Sequence, residues 1–258
     1  MAGEWEAEEE RVSMPEAIAI ILKSITGVVR RAEITLRSGR LRSYGTWKAA
    51  TGRLLVTLTA VTILSAEVAA AKTIHLVAFG DSLTAGYGLP RADAFPARLE
   101  AALRAKGYDV SVTNAGVSGD TSTQGLARLD WSVPPGTDAV IVELGANDML
   151  RGQDPNITRR TLDEILTRLK GRNIPVLLAG MRAAPNFGAD YQKAFDAIYP
   201  DLASKHGVLL YPFFLDGVAG DRSLNQADGM HPTAAGVNRI VPAILPSVEK
   251  LLAETSQH

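Results

Sequence analysis

From Lys72 onward, short apolar runs alternate five times with amphipathic stretches, and few architectures accept that pattern. The runs Thr73–Phe79, Asp109–Asn114, Ala139–Leu144, Pro175–Ala179 and Val208–Tyr211 read as strands. The stretches Ala94–Lys106, Thr121–Leu129, Asn156–Gly171, Tyr191–His206 and Thr233–Ala253 read as helices. Regular alternation of this kind predicts a parallel sheet covered on both faces, a three-layer α/β/α domain with five strands. In the last helix Val237, Ile240, Val241, Ile244, Leu245, Val248, Leu251 and Leu252 follow the helical i, i+3, i+4, i+7 spacing, while Pro242 and Pro246 are expected to bend or interrupt it.

The residues before Lys72 lie outside this pattern. Residues 1–10 form an acidic cluster without apolar periodicity, of a composition expected to be disordered. Arg11 to Arg53 is basic, and Leu54–Ala66 is uncharged and followed by Ala69, Ala70 and Ala71. A basic flank, a short apolar stretch and a small-residue ending predict a secretory signal cleaved near Ala71. Residues 1–53 then read as an extension upstream of the true start, residues 54–71 as the signal, and residues 72–258 as the functional domain. The rival readings of the N-terminal part are a membrane anchor and a genuine cytoplasmic extension. The signal reading implies a periplasmic or secreted protein with no membrane anchor after cleavage.

Charge and cysteine content remove several function classes. The 27 Lys+Arg are balanced by 28 Asp+Glu, so there is no basic excess for a nucleic-acid partner. The absence of cysteine excludes thiol catalysis, Cys-ligated metals and disulfide frameworks. No metal-ligand cluster is evident and no cofactor is implied. The glycines after the first run do not complete a dinucleotide fingerprint or a P-loop. No extra apolar surface argues for an oligomer, so a monomer is expected.

In an open α/β sheet the chemistry gathers outside the strand carboxyl ends. Ser82, in the segment Gly80–Gly88 (GDSLTAGYG), follows the first strand there. A serine hydroxyl needs a neighbouring base to act as a nucleophile. Of four histidines, His75 lies within a strand, His206 ends a helix and His258 is the last residue, which leaves His231. Asp228 stands three residues before it, close enough to orient its ring, and gives the chain order Ser, Asp, His. The same Asp-x-x-His-Pro segment also suits a polar turn before a helix. Loops Asn114–Asp120 and Leu144–Asp148 end the second and third strands and offer backbone N–H groups and an amide to an oxyanion, or serve simply as turns and helix caps. Asp81 reads as a loop-holding residue, and Asp120 and Asp148 as turn or cap residues.

The segments GDSLTAGYG, NAGVSGDTS, LGANDMLRG and DGMHP together resemble, in order and spacing, the four sequence blocks of the GDSL or SGNH hydrolases, in particular the bacterial periplasmic thioesterase I, lysophospholipase L1 and arylesterase group. The resemblance spans roughly residues 73–255. It implies a flavodoxin-like fold, Ser82 as nucleophile, His231 as base and Asp228 as orienting acid. It also implies an oxyanion hole built from the backbone of Ser82 and Gly116 and the side chain of Asn147. The expected substrate is a small acyl ester, thioester or lysophospholipid, with a carbohydrate O-acetyl ester as the alternative and a catalytically silent lipid-binding protein as the rival from another class. Ala146 departs from the glycine common in close relatives. Because the residue two after Ser82 is Thr84, the turn differs from a G-x-S-x-G elbow and is expected to be gentler, in an open cleft without a lid. Leu83, Tyr87, Met149, Leu150, Pro185 and Phe187 flank these loops and are the expected cleft-wall residues.

Overall fold

The computed structural model describes residues 73–255. The expected extension and signal segment lie outside the described residues. Five parallel strands, β1 (Ile74–Gly80), β2 (Val110–Gly116), β3 (Ala139–Glu143), β4 (Val176–Ala179) and β5 (Leu209–Tyr211), form one sheet in the order β2-β1-β3-β4-β5. This is the doubly wound arrangement, and its strand order reverses between β1 and β3. β3 is buried at every residue and β1 from Leu76 on, which is why they read as continuous apolar runs rather than alternating ones.

The helices are α1 (Ser82–Ala85), α2 (Phe95–Ala105), α3 (Ser122–Ser132), α4 (Ala146–Leu150), α5 (Pro155–Gly171), α6 (Ala189–Asp196), α7 (Ile198–His206) and α8 (Ala234–Thr255). α2 packs on α8 in one layer, and α3, α5 and α7 pack side by side in the other. The apolar faces of these helices meet the sheet through Leu99, Leu103, Leu129, Leu162, Ile165, Leu169, Ile198 and Ile244, all fully or almost fully buried.

Two expectations about helices need correction. α8 is not interrupted: it runs for 22 residues through Pro242 and Pro246. Both prolines are exposed and four residues apart, on the face away from the sheet, so the carbonyls they leave without an N–H partner can turn to water. The buried stripe of Val237, Ile240, Val241, Ile244, Val248, Leu251 and Leu252 holds the helix together across them. Conversely, the stretch expected to form one helix over Tyr191–His206 is two, meeting at Ala197. Pro200 has no N–H to give the carbonyl of Asp196, so α6 stops there and α7 starts again. The short helices α1 and α4 read as loops in the sequence because neither is long enough to show a period.

Parallel register sets the strand ends level. Gly80 pairs with Gly116 on one side and with Glu143 on the other, so the segments after β1, β2 and β3 leave the sheet at the same height.

Candidate active site

Ser82 opens α1 immediately beyond β1. Asp81 caps this helix, its Oδ1 accepting the N–H of Leu83 at 3.0 Å. The turn is tight because Gly80 has no side chain: a Cβ there would lie 2.1 Å from Thr84 Oγ1 and 2.7 Å from Glu143 Oε2.

His231 reaches Ser82 from the opposite end of the chain. The segment before α8 folds back on itself, with Gln226 N–H donating to the His231 carbonyl (2.8 Å), Thr233 N–H to the Leu224 carbonyl (2.8 Å), and Gly229 turning the chain at φ +71°. Asp228 Oδ1 accepts the N–H groups of Met230 (2.9 Å) and His231 (3.0 Å), an Asx turn that fixes the loop. Its other oxygen, Oδ2, lies 2.7 Å from His231 Nδ1, and His231 Nε2 lies 2.9 Å from Ser82 Oγ. The backbone N–H bonds and the imidazole lower the Asp228 carboxyl from 3.8 to about 2. An ionised carboxylate only accepts hydrogen bonds, so it selects the Nδ1–H tautomer and leaves Nε2 free to accept the serine proton. Tyr87 packs its ring against that imidazole, with centroids 4.6 Å apart.

Of the expected oxyanion donors, Gly116 does not meet the expectation. Its N–H donates to Asn114 Oδ1 at 3.0 Å, and its α-carbon is pressed against α1, where a Cβ would be 2.2 Å from Ala85 N. The glycine of this loop with an unengaged N–H among the described residues is Gly119, at φ +87° with open space beside it. Asn147 adjoins this turn, its amide donating to the Asp120 carbonyl at 3.0 Å and to Asp81 Oδ2 at 3.1 Å.

Behind Ser82 lies a layer of buried carboxyl groups that the sequence did not disclose. Asp81 and Glu143 are fully buried. Burial raises the Asp81 carboxyl from 3.8 to about 6, against the lowering effect of the Leu83 N–H and the Asn147 amide. Burial, and then the charge of Asp81, push Glu143 well above the usual carboxylate range. Glu143 Oε2 accepts the hydroxyl of Thr84 at 2.7 Å, while Oε1 has no partner among the described residues. A neutral acid fits this position, because an ionised one would leave a charged oxygen buried and unsatisfied.

Asp120 and Asp148 are more than the turn or cap residues expected of them. Asp120 pairs with the buried Arg128 at 2.6 Å, and the same guanidinium donates to the carbonyls of Gly80 (2.7 Å) and Ala115 (2.9 Å) while lying 4.6 Å from the centre of the Phe79 ring. Arg128 thus ties the carboxyl ends of β1 and β2 together. Asp148 is fully buried and accepts from Ser122 N–H (2.8 Å), Ser122 Oγ, Thr158 Oγ1 (3.1 Å) and Gln153 Nε2 (3.0 Å), joining α4 to α3 and α5.

A cavity of about 580 Å³ opens beside Ser82 and His231, within the range of small-molecule sites. Leu83, Met149, Leu150 and Pro185 line it, together with Asn147. Tyr87 and Phe187 are not among the lining residues; Tyr87 lies on the His231 ring and Phe187 stacks on Tyr191 at 5.2 Å. Sequence reading missed Met181, Arg182 and Ala183 after β4, and Phe213 and Leu215 after β5. The signal that could have found them is positional, since both segments follow strands at the same carboxyl edge as Ser82.

Comparison with known proteins gives the family. The model of the GDSL-like lipase/acylhydrolase family matches residues 78–239. The chain is 39% identical over 191 residues to esterase TesA of Pseudomonas aeruginosa, covering 74% of this chain and 94% of that one. It is 44% identical over 171 residues to the thioesterase 1/protease 1/lysophospholipase L1 of Escherichia coli strain K12, covering 66% and 80%. Among solved structures, AlinE4, an SGNH-hydrolase family esterase, superposes with a TM-score of 0.60 at 49% identity, covering 70% of this chain and 97% of that one.

Proposed function

Since the chain belongs to the GDSL-like lipase/acylhydrolase family, we propose that it is a serine esterase acting on acyl esters and thioesters through Ser82, His231 and Asp228. The observation that carries this reading is the continuous hydrogen-bonded line from Asp228 Oδ2 through His231 to Ser82 Oγ, at 2.7 and 2.9 Å.

As Ser82 Oγ attacks the acyl carbonyl carbon, its proton passes to His231 Nε2, and Asp228 stabilises the imidazolium without taking the proton. The carbonyl π bond opens to an oxyanion. Its donors in this reading are the N–H groups of Ser82 and Gly119 and the amide of Asn147. Collapse of the intermediate breaks the bond to the alkoxide or thiolate, which leaves with the proton from His231, and an acyl-Ser82 ester remains. Water, deprotonated by His231, attacks that ester by the same route, releasing the acid and restoring the serine.

The mostly apolar cavity beside Ser82 and the relatives named thioesterase and lysophospholipase favour substrates with a hydrocarbon acyl group. In this reading residues 72–258 are the hydrolase and residues 54–71 an export signal, so the enzyme works in the periplasm or outside the cell as a monomer. N-terminal sequencing of the exported chain tests the location, and a mature chain beginning well before Leu54 contradicts it.

Ser82→Ala tests the chemistry. The variant should lose hydrolysis of a p-nitrophenyl ester and covalent labelling by a fluorophosphonate; residual turnover at the wild-type rate, or labelling at another residue, refutes the nucleophile assignment.

A further inference from the structure

The cavity wall carries one feature that ester hydrolysis as such does not require. Among the described residues that line it Arg182 is the only Lys or Arg, and none is Asp or Glu. The guanidinium is 5.2 Å from the centroid of the Phe213 ring, another lining residue, and it has no carboxylate partner among the described residues. Five other arginines of the domain pair with carboxylates, Arg98 with Asp93, Arg104 with Glu100, Arg128 with Asp120, Arg159 with Asp201 and Arg168 with Glu164; others such as Arg160 and Arg222 do not among the described residues, but they do not line the cavity.

An exposed, unpaired arginine ordinarily serves only solubility. Three properties set Arg182 apart. It sits, solvent-exposed, at the edge of an apolar cavity, where a ligand filling the cavity would reduce the screening of its charge. The Phe213 face restrains the planar guanidinium, so less rotamer freedom is lost when a ligand binds. A guanidinium lying over a ring keeps its edge N–H donors available for two parallel bonds to a carboxylate or phosphate.

Resting on the esterase reading for the position of the scissile bond, we propose that Arg182 forms an anion subsite in the cavity wall, and that the preferred substrates carry a carboxylate or phosphate on the chain that fills the cavity. The cavity walls accept the hydrocarbon and Arg182 reads its charged end.

Calorimetry on the full-length protein tests this without requiring turnover. Hexyl phosphate, hexanoate and hexanol share a six-carbon chain and differ in the end group. The wild type should bind at least one of the two anions about tenfold or more tighter than hexanol, and the anion so favoured distinguishes phosphate from carboxylate recognition. Arg182→Gln should bring that preference to within about twofold, and Arg182→Lys, which keeps the charge but not the planar fork, should fall between. Arg182 is exposed, and circular dichroism verifies that each variant is folded. Absence of any preference in the wild type overturns the inference. So does a preference that survives Arg182→Gln, which would put the anion at the oxyanion donors instead. Failure of the esterase reading is separate, showing as turnover that Ser82→Ala does not abolish.

Discussion

Asp81→Asn should expose a conflict between stability and turnover at the turn that carries Ser82, and its sign depends on pH. In the folded protein Asp81 holds its proton up to about pH 6, against an ordinary value of 3.8. Between these values the folded state binds more protons than the unfolded state. Stability from this group is therefore fully present below pH 3.8, falls as pH rises through 6, and is level above it. A shift of that size corresponds to about 3 kcal/mol lost from acid to neutral pH. Asparagine keeps an oxygen for the Leu83 N–H but turns an amide donor toward the amide of Asn147, a lost hydrogen bond with a cost of about 1–3 kcal/mol. The variant should accordingly be less stable than the wild type near pH 4, and equal or more stable at pH 8, where the wild type carries a buried charge. Urea unfolding followed by circular dichroism across pH 4–8 measures this. Glu143 has its proton affinity raised in the same direction, chiefly by burial and then by the charge of Asp81, so the difference between the two curves reports Asp81 together with its coupling to Glu143. Turnover at pH 8 should fall by up to about 10²-fold despite the recovered stability, because Asn147 loses the partner that fixes its amide. A stability deficit that stays constant from pH 4 to 8 would show that Asp81 does not titrate in this window and would refute the reasoning.

Two further substitutions probe the same region. Asn147→Ala should lower kcat by about 10²-fold, toward the weaker end of the range for an oxyanion donor, because both amide hydrogens are already bonded within the protein and one bond is exchanged when the intermediate forms; steady-state kinetics showing a change in KM alone would remove Asn147 from that role. Arg128→Met leaves Asp120 buried without its partner and frees the Gly80 and Ala115 carbonyls, and should cost about 3–5 kcal/mol in urea unfolding; a loss under 1 kcal/mol would mean that Arg128 does not tie the strand ends.

What could be read from the sequence follows how locally each feature is encoded. Strand runs show themselves because a sheet covered on both faces needs continuous apolar segments, and the observed β-strands lie within one or two residues of those expected. That Ser82, Asp228 and His231 come together was legible for a different reason: elimination among four histidines left one, with a carboxylate three residues before it. The loop after β2 shows where that logic runs out. Gly116 and Gly119 are equally good glycines in sequence; the Asn114 side chain folded back onto the Gly116 N–H, the packing of Gly116 against α1 and the open, left-handed turn at Gly119 separate them.

Burial is the other thing a sequence hides. Asp81, Asp120, Glu143 and Asp148 are indistinguishable in composition from surface acids, yet all are buried, and three of them are answered by a group distant in the chain: Asn147 for Asp81, Thr84 for Glu143 and Ser122 for Asp148. Asp120 meets Arg128 two turns along its own neighbouring helix, a pairing whose strength comes from the carbonyls of β1 and β2 around it. The cavity wall is intermediate. The rule that places Ser82 beyond the carboxyl end of β1 applies equally to β4 and β5, and following it there leads to Arg182 and Phe213. Motifs mark the half of the crevice that holds Ser82 and His231; the half built from the segments after β4 and β5 is marked only by its place in the sheet.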